Sequence, residues 1–458
     1  MTLPSRRVTI PTYDRTALRP GVVHLGLGSF HRAHQLSYFD DLANLGVRDW
    51  GVVGIGVRNR RLAQVLQAQD NVFTVVQRGP EGTRGRVIRV LLDHLLLADG
   101  LGPVIDRLAD PQTGIVTLTI TGDGYRTEPA AAPNPVFAAL AAALDRRRAA
   151  GVPPFTVMSC DNLLDNGAST RTALLAAAEP RGGRLTDWIA DCVHFPSSMV
   201  DRITPATTAV DRRTVKQELG LTDGWPVMTE PFTQWVIEDR FGAVRPPLDL
   251  VGVRFTDDVA PYKLVKSRML NGAHCALGYL GSLAGHLRTD QAMRDPVLVQ
   301  YVEALLADEV GPLLPTDLPG MSGQRYRHTI LERLRNAAIG DPLTRLCARG
   351  STKMPAYLLP SLWAAQRAGH PRKLLLLAVA AWLRYLRGTT DDGRPINVED
   401  ARAVELGRLA RASDPRVILQ VTDIFGDLAE HQGDVDLMTS MLSQFEDRGV
   451  TATIRRFL

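Results

Sequence analysis

Cysteine is scarce in this 458-residue chain: Cys160, Cys192, Cys275 and Cys347 are the whole supply, and none stands in a CxxC pair. Four scattered thiols make no disulfide framework and fit a reducing, cytoplasmic setting. They also exclude the clustered Cys and His ligands of a zinc site, so no metal is expected. Long apolar runs are missing too. The longest, Leu374 to Leu383, falls short of the ~18 residues a membrane span needs. Met1 to Pro11 carries Arg6 and Arg7 with no apolar stretch behind them, unlike a signal peptide. Charge of one sign is weak as well. The net +4 is spread along the chain without a basic stripe of interleaved aromatics, so neither membrane nor nucleic acid is an expected partner.

Lysine is the most telling scarcity. Only Lys216, Lys263, Lys266, Lys353 and Lys373 are present, so of the 53 basic residues 53 − 5 = 48 are arginine. Where only positive charge is needed, this chain uses Arg. A lysine that persists is a candidate for what Arg cannot do, which is to lose its proton.

An apolar content of 45% over this length predicts a globular protein with two domains. Val22 to Leu25 reads as a strand ending at Gly26-Leu27-Gly28, with a helix from Phe30 to Leu45. Trp50 to Val57, Phe73 to Val76, Arg86 to Leu92, Gly114 to Ile120 and Phe155 to Ser159 read as further strands. Helical patterns at Arg60 to Ala68 and Asn134 to Ala150 alternate with them. Such alternation predicts an α/β fold with a largely parallel sheet and helices on both faces. After Pro246-Pro247 the texture changes. Helical segments take over at Tyr262 to Leu283, Pro296 to Ala307, Lys373 to Arg387, Val398 to Ala412 and Asp434 to Arg448. The expected division is a dinucleotide-binding domain over 1–250 and a mainly α-helical substrate and catalytic domain over 251–458.

Gly26-x-Gly28 sits where a dinucleotide pyrophosphate meets the backbone of a βα turn. His31 stands in place of a third glycine, so the pattern alone fits a plain tight turn equally. The end of the second strand reads Val57-Arg58-Asn59-Arg60-Arg61 with no acid, which leaves NAD and NADP both open. The most informative segment is Lys266-Ser-Arg-Met-Leu-Asn271-Gly-Ala-His274. On an α-helix at ~100° per residue, Asn271 lies about 140° and His274 about 80° from Lys266, so all three share one broad face. A buried lysine there could act as a base, an amide could stabilise an alkoxide, and His could orient a hydroxyl. A surface lysine with two capping or packing polar residues would have the same spacing.

Five ordered blocks make the chain recognisable: Val23-His-Leu-Gly-Leu-Gly-Ser-Phe30-His31-Arg-Ala-His-Gln35, Ser159-Cys-Asp-Asn162-Leu, Phe195-Pro-Ser-Ser-Met-Val-Asp201-Arg-Ile-Thr-Pro205, Glu230-Pro-Phe-Thr-Gln-Trp-Val-Ile-Glu-Asp239, and the Lys266 segment. From about residue 20 onward it resembles the long-chain mannitol dehydrogenase family. That resemblance implies a Rossmann-type N-terminal domain, a helical C-terminal domain, no metal, and a nicotinamide cofactor, NAD with NADP possible. It implies Lys266 as general base, Asn162 and Asn271 as the oxyanion pair, and His274 as a substrate ligand. Asp201, Arg345 and Lys353 are implied on the substrate side, and Gly26, Gly28, Phe30, His31 and Arg58 on the cofactor side. For Asp201 an ion pair with Arg202 is the structural alternative; for Arg345 and Lys353 it is a solvated loop. The expected activity is oxidation of a mannitol-like polyol, by a monomer or weak oligomer. A hexuronate reductase of the same family and a catalytically silent nucleotide-binding protein are the alternatives.

Overall fold

The computed structural model describes residues 7–127, 133–315 and 317–458. The chain divides into two compact units, Met1–Ala260 and Pro261–Leu458.

In the first unit five parallel strands form one sheet: Val22–Leu25, Val52–Gly56, Leu91–Leu96, Ile115–Leu118 and Thr156–Ser159. Numbered along the chain, they lie in the spatial order 3-2-1-4-5. The order reverses beside the first strand, whose apolar residues serve both faces. Val22 joins one core with Leu36, Phe39 and Leu66, while Val23 and Leu25 join the other with Val104, Leu140 and Leu174. Period-two alternation thus supplies two helix-covered layers. The helix Arg60–Ala68 starts where Asn59 accepts a bond from the Leu62 N–H at 3.0 Å, and Pro135–Ala149 starts at an Asn134 cap with Pro at its first position.

Two expectations are corrected here. Phe73–Gly79 does not join the parallel sheet; it pairs antiparallel with Gly82–Ile88 in a separate four-stranded sheet. Pro80 and Gly82, at φ +104°, turn the chain back on itself, and alternation cannot say which sheet a strand will join. The predicted helix from Phe30 to Leu45 is two helices, Ser29–Ala33 and Gln35–Asn44, broken at His34 (φ −101°, ψ −82°).

The second unit is helical. Every residue from Leu374 to Leu383 is buried around the whole circumference of the helix Lys373–Tyr385, which accounts for the long apolar run. The buried Glu309 carboxylate caps this helix, accepting from the N–H groups of Leu374 (2.9 Å) and Leu375 (2.8 Å). The last helix, Gln432–Phe457, is interrupted at Gly449 (φ +74°). Among the described residues three helices contain π-turns, at Lys266–Asn271, Leu305–Val310 and Met354–Leu358, and the first packs against the other two. Among the described residues no helix is long and apolar enough to cross a membrane.

Candidate active site

The glycine turn follows the first strand. Gly26 has φ +108°, and a Cβ there would collide with the Thr119 carbonyl, so only glycine fits. A Cβ on Gly28 would meet nothing nearer than the Gly26 oxygen at 3.6 Å, which leaves its backbone open to a close-approaching group. In front of the turn lies a cavity of about 640 Å³, lined by Gly26, Gly28, Arg58, His94, Thr121 and Trp225 among others. Its walls are the carboxyl ends of strands one to four, at the point where strand order reverses. That is the crevice in which α/β sheets bind nucleotides.

Behind the turn, two polar side chains brace it. Thr119 donates its hydroxyl proton to the Gly26 carbonyl (2.9 Å), so it accepts from His24 Nε2 (2.9 Å), and His24 Nδ1 accepts from the Thr117 hydroxyl (2.7 Å). His24 is therefore the neutral Nε2–H tautomer. His31 stacks flat on it, centroids 3.3 Å apart and planes 4° from parallel. Burial pushes the His24 imidazole down to about 3 and holds His31 well below its ordinary range. Bases depressed in this way stay neutral in the fold while the unfolded chain takes up protons, so stability is lost as pH falls below ~6.5. The melting temperature is expected to drop between pH 7 and pH 5. A His24→Gln, His31→Gln double variant should lose most of that slope; an unchanged slope would assign it to other groups.

Thr121 sits on the cavity wall at φ +67°, ψ 160°, a backbone region almost reserved for glycine that costs a threonine about 1–3 kcal/mol. The Asp161 carboxylate holds it there, accepting from the N–H groups of Ile120 (2.9 Å) and Thr121 (3.0 Å) and from the Tyr125 hydroxyl (2.7 Å). Burial raises the Asp161 pKa above the usual carboxylate value.

The sequence-derived cofactor candidates fall in two places. Gly26, Gly28 and Arg58 line the cavity. Phe30 and His31 do not: their helix turns them inward, Phe30 against the core and a stack with His34, His31 fully buried on His24. His94, Thr121 and Trp225 line the cavity without having been anticipated. Only Thr121 carried a signal, its nearness to the end of strand four; Trp225 arrives from a distant part of the chain.

Asn162 is exposed at the end of strand five, beside Asp161. Asp201 is 3% exposed in the strand Ser198–Asp201, opposite Gln234. Its neighbour Arg202 directs its guanidinium at main-chain carbonyls, of Ala33 (2.5 Å) and Glu230 (3.3 and 3.2 Å).

In the second unit Lys266 is buried (7% exposed), with Asn271 and His274 half-buried along the same helix. The π-turn over Lys266–Asn271 corrects the expected geometry. Its i→i+5 hydrogen bonding carries residues five apart nearly into register, so Asn271 lies closer to Lys266 around the axis than an α-helix would place it. Arg345 grips the buried Asp341 carboxylate with both ends of its fork, one contact at 2.6 Å. The Lys353 ammonium donates to the carbonyls of Arg345 (2.8 Å) and Leu346 (3.1 Å), and burial lowers its pKa. Both cations hold protein groups.

The mannitol dehydrogenase Rossmann domain matches residues 20–250, and the mannitol dehydrogenase C-terminal domain matches 258–446. This chain belongs to the mannitol dehydrogenase family. Its mannitol dehydrogenase relatives include the mannitol 2-dehydrogenase of Phaeosphaeria nodorum, 40% identical over 99% of this chain and 84% of that one. The mannitol 2-dehydrogenase of Aspergillus fumigatus is 38% identical over 98% of this chain and 96% of that one. Among solved structures, Pseudomonas fluorescens mannitol 2-dehydrogenase, in a ternary complex with NAD and D-mannitol, aligns with TM-score 0.89 at 40% identity, covering 99% of this chain and 97% of its own. A substrate-free D-sorbitol dehydrogenase aligns with TM-score 0.91 at 32% identity, covering 98% of each chain. Within this chain, the glycine turn, Asn162 and Asp201 belong to the Rossmann part, and Lys266, Asn271, His274, Arg345 and Lys353 to the C-terminal part.

Proposed function

We propose that this enzyme oxidises a mannitol-like polyol at a secondary carbinol to a ketose, and reduces the ketose in reverse, with NAD. The observation that carries the reading is the Lys266, Asn271 and His274 set gathered on one π-widened helical face with its amine buried. The turn at Gly26 and Gly28 and the cavity before it fit a dinucleotide, with Arg58 at the ribose end. Phe30 and His31 support the turn from behind. A nicotinamide held there would supply the hydride acceptor. Neutral Lys266 takes the hydroxyl proton, and as an ammonium it returns it in ketose reduction. Asn162 and Asn271 donate hydrogen bonds to the developing oxyanion, and His274 orients the reacting hydroxyl. Asp201, Arg345 and Lys353 bound the substrate, and the enzyme works in the cytoplasm as a monomer or weak oligomer.

A sugar acid needs a cation for its carboxylate, and both Arg345 and Lys353 are spent on Asp341 and on helix carbonyls. That favours a neutral polyol over a hexuronate. Assays of mannitol, arabinitol, sorbitol, fructose and fructuronate, each with NAD and NADP, test it. Turnover of polyols and fructose with little on fructuronate is expected; the opposite order would make the enzyme a hexuronate reductase. Nucleotide binding without turnover of any of them would leave a silent binding protein.

A further inference from the structure

Three arginines cluster just past the end of strand two, and their fates differ. Arg60 is held by Asp99 in an ion pair of 2.5 Å, and Arg61 lies over the Trp225 ring, 5.8 Å from its centroid. Arg58 lines the cavity, and its guanidinium makes no hydrogen bond, ion pair or ring contact among the described residues. Asn59 beside it is spent as the cap of the next helix. In dinucleotide-binding sheets this strand end meets the adenosine ribose, where a carboxylate selects the free 2′-hydroxyl and an arginine accommodates a 2′-phosphate. Among the described residues the one carboxylate on the cavity wall is Asp123, on the loop after strand four, and Arg126 pairs with it at 3.2 Å. The acids of the neighbouring cleft are Asp70, Asp93 and Asp99, of which Asp99 is taken by Arg60 and Asp70 by Arg15.

Resting on the dinucleotide reading of the cavity, we infer that Arg58 is a specificity-determining residue that receives a 2′-phosphate, so that the ribose end of the cavity takes NADP as well as NAD. A guanidinium fork with unspent donors suits a phosphate, whereas a 2′-hydroxyl gains nothing from its charge.

Calorimetric titration of the whole enzyme with 2′,5′-ADP and with 5′-AMP isolates the 2′-phosphate from the chemistry. The wild type should bind 2′,5′-ADP about tenfold more tightly than 5′-AMP, the scale of one charge-assisted contact. That ratio should shrink as salt rises. Arg58→Ala should bring it to about one with 5′-AMP affinity retained, and Arg58→Asp should invert it. Equal binding of the two ligands by the wild type, or a ratio untouched by Arg58→Ala, would overturn the assignment while leaving the nucleotide cavity in place. Failure of the wild type to bind either ligand would overturn both.

Discussion

Lys266→Ala is expected to lower turnover in both directions by ~10²–10⁴-fold, the usual loss on removing a positioned acid/base, while NADH binding is retained. The residue is 7% exposed, an unusual burial for a lysine. A buried lysine in a chain that otherwise spends 48 arginines on positive charge has a reason to be lysine. Lys266→Arg discriminates further. Guanidinium keeps charge and length but does not release its proton, so it should fail nearly as badly as alanine. A purely structural lysine would be rescued by arginine. Wild-type-like turnover in either variant would remove Lys266 from the chemistry.

Asn162→Ala and Asn271→Ala come next, each expected to cost about 10²–10³-fold in kcat, the effect of deleting one preorganised donor to an oxyanion. KM should change much less, since the donors act on charge that exists only as the proton leaves. Asn→Asp at either position should be worse than alanine, because a carboxylate faces the negative oxygen. A loss expressed only in KM would place the amides elsewhere.

Much of this was legible in the residues. Val22 to Leu25 followed by Gly26-Leu27-Gly28 announced a strand and turn, because an apolar run ended by glycine has few other uses. Arg60 to Ala68 was legible from its helical pattern. Other features were hidden by physics that acts at long range. His31 looked like a cofactor contact, since sequence position places it at the turn; its stacking on His24 needs two elements folded together. Trp225 reaches the cavity wall through tertiary packing that also lets Arg32 donate to its carbonyl across 193 positions. The Phe73–Gly79 strand read as sheet but not as part of a separate sheet, because local alternation is blind to partners. The π-turn was hidden most completely: nothing in Lys266 to Asn271 departs from ordinary helical composition.

That surplus residue matters to anyone who would transplant the chemistry. A designer grafting lysine, asparagine and histidine at offsets of zero, five and eight onto an ideal helical scaffold would splay the first two apart, because regular winding rotates them out of line. The portable unit is the three side chains together with the widened coil and the neighbouring coils that pack against it. Copying the letters without the coil would yield a well-folded helix with its base and its amide facing different ways.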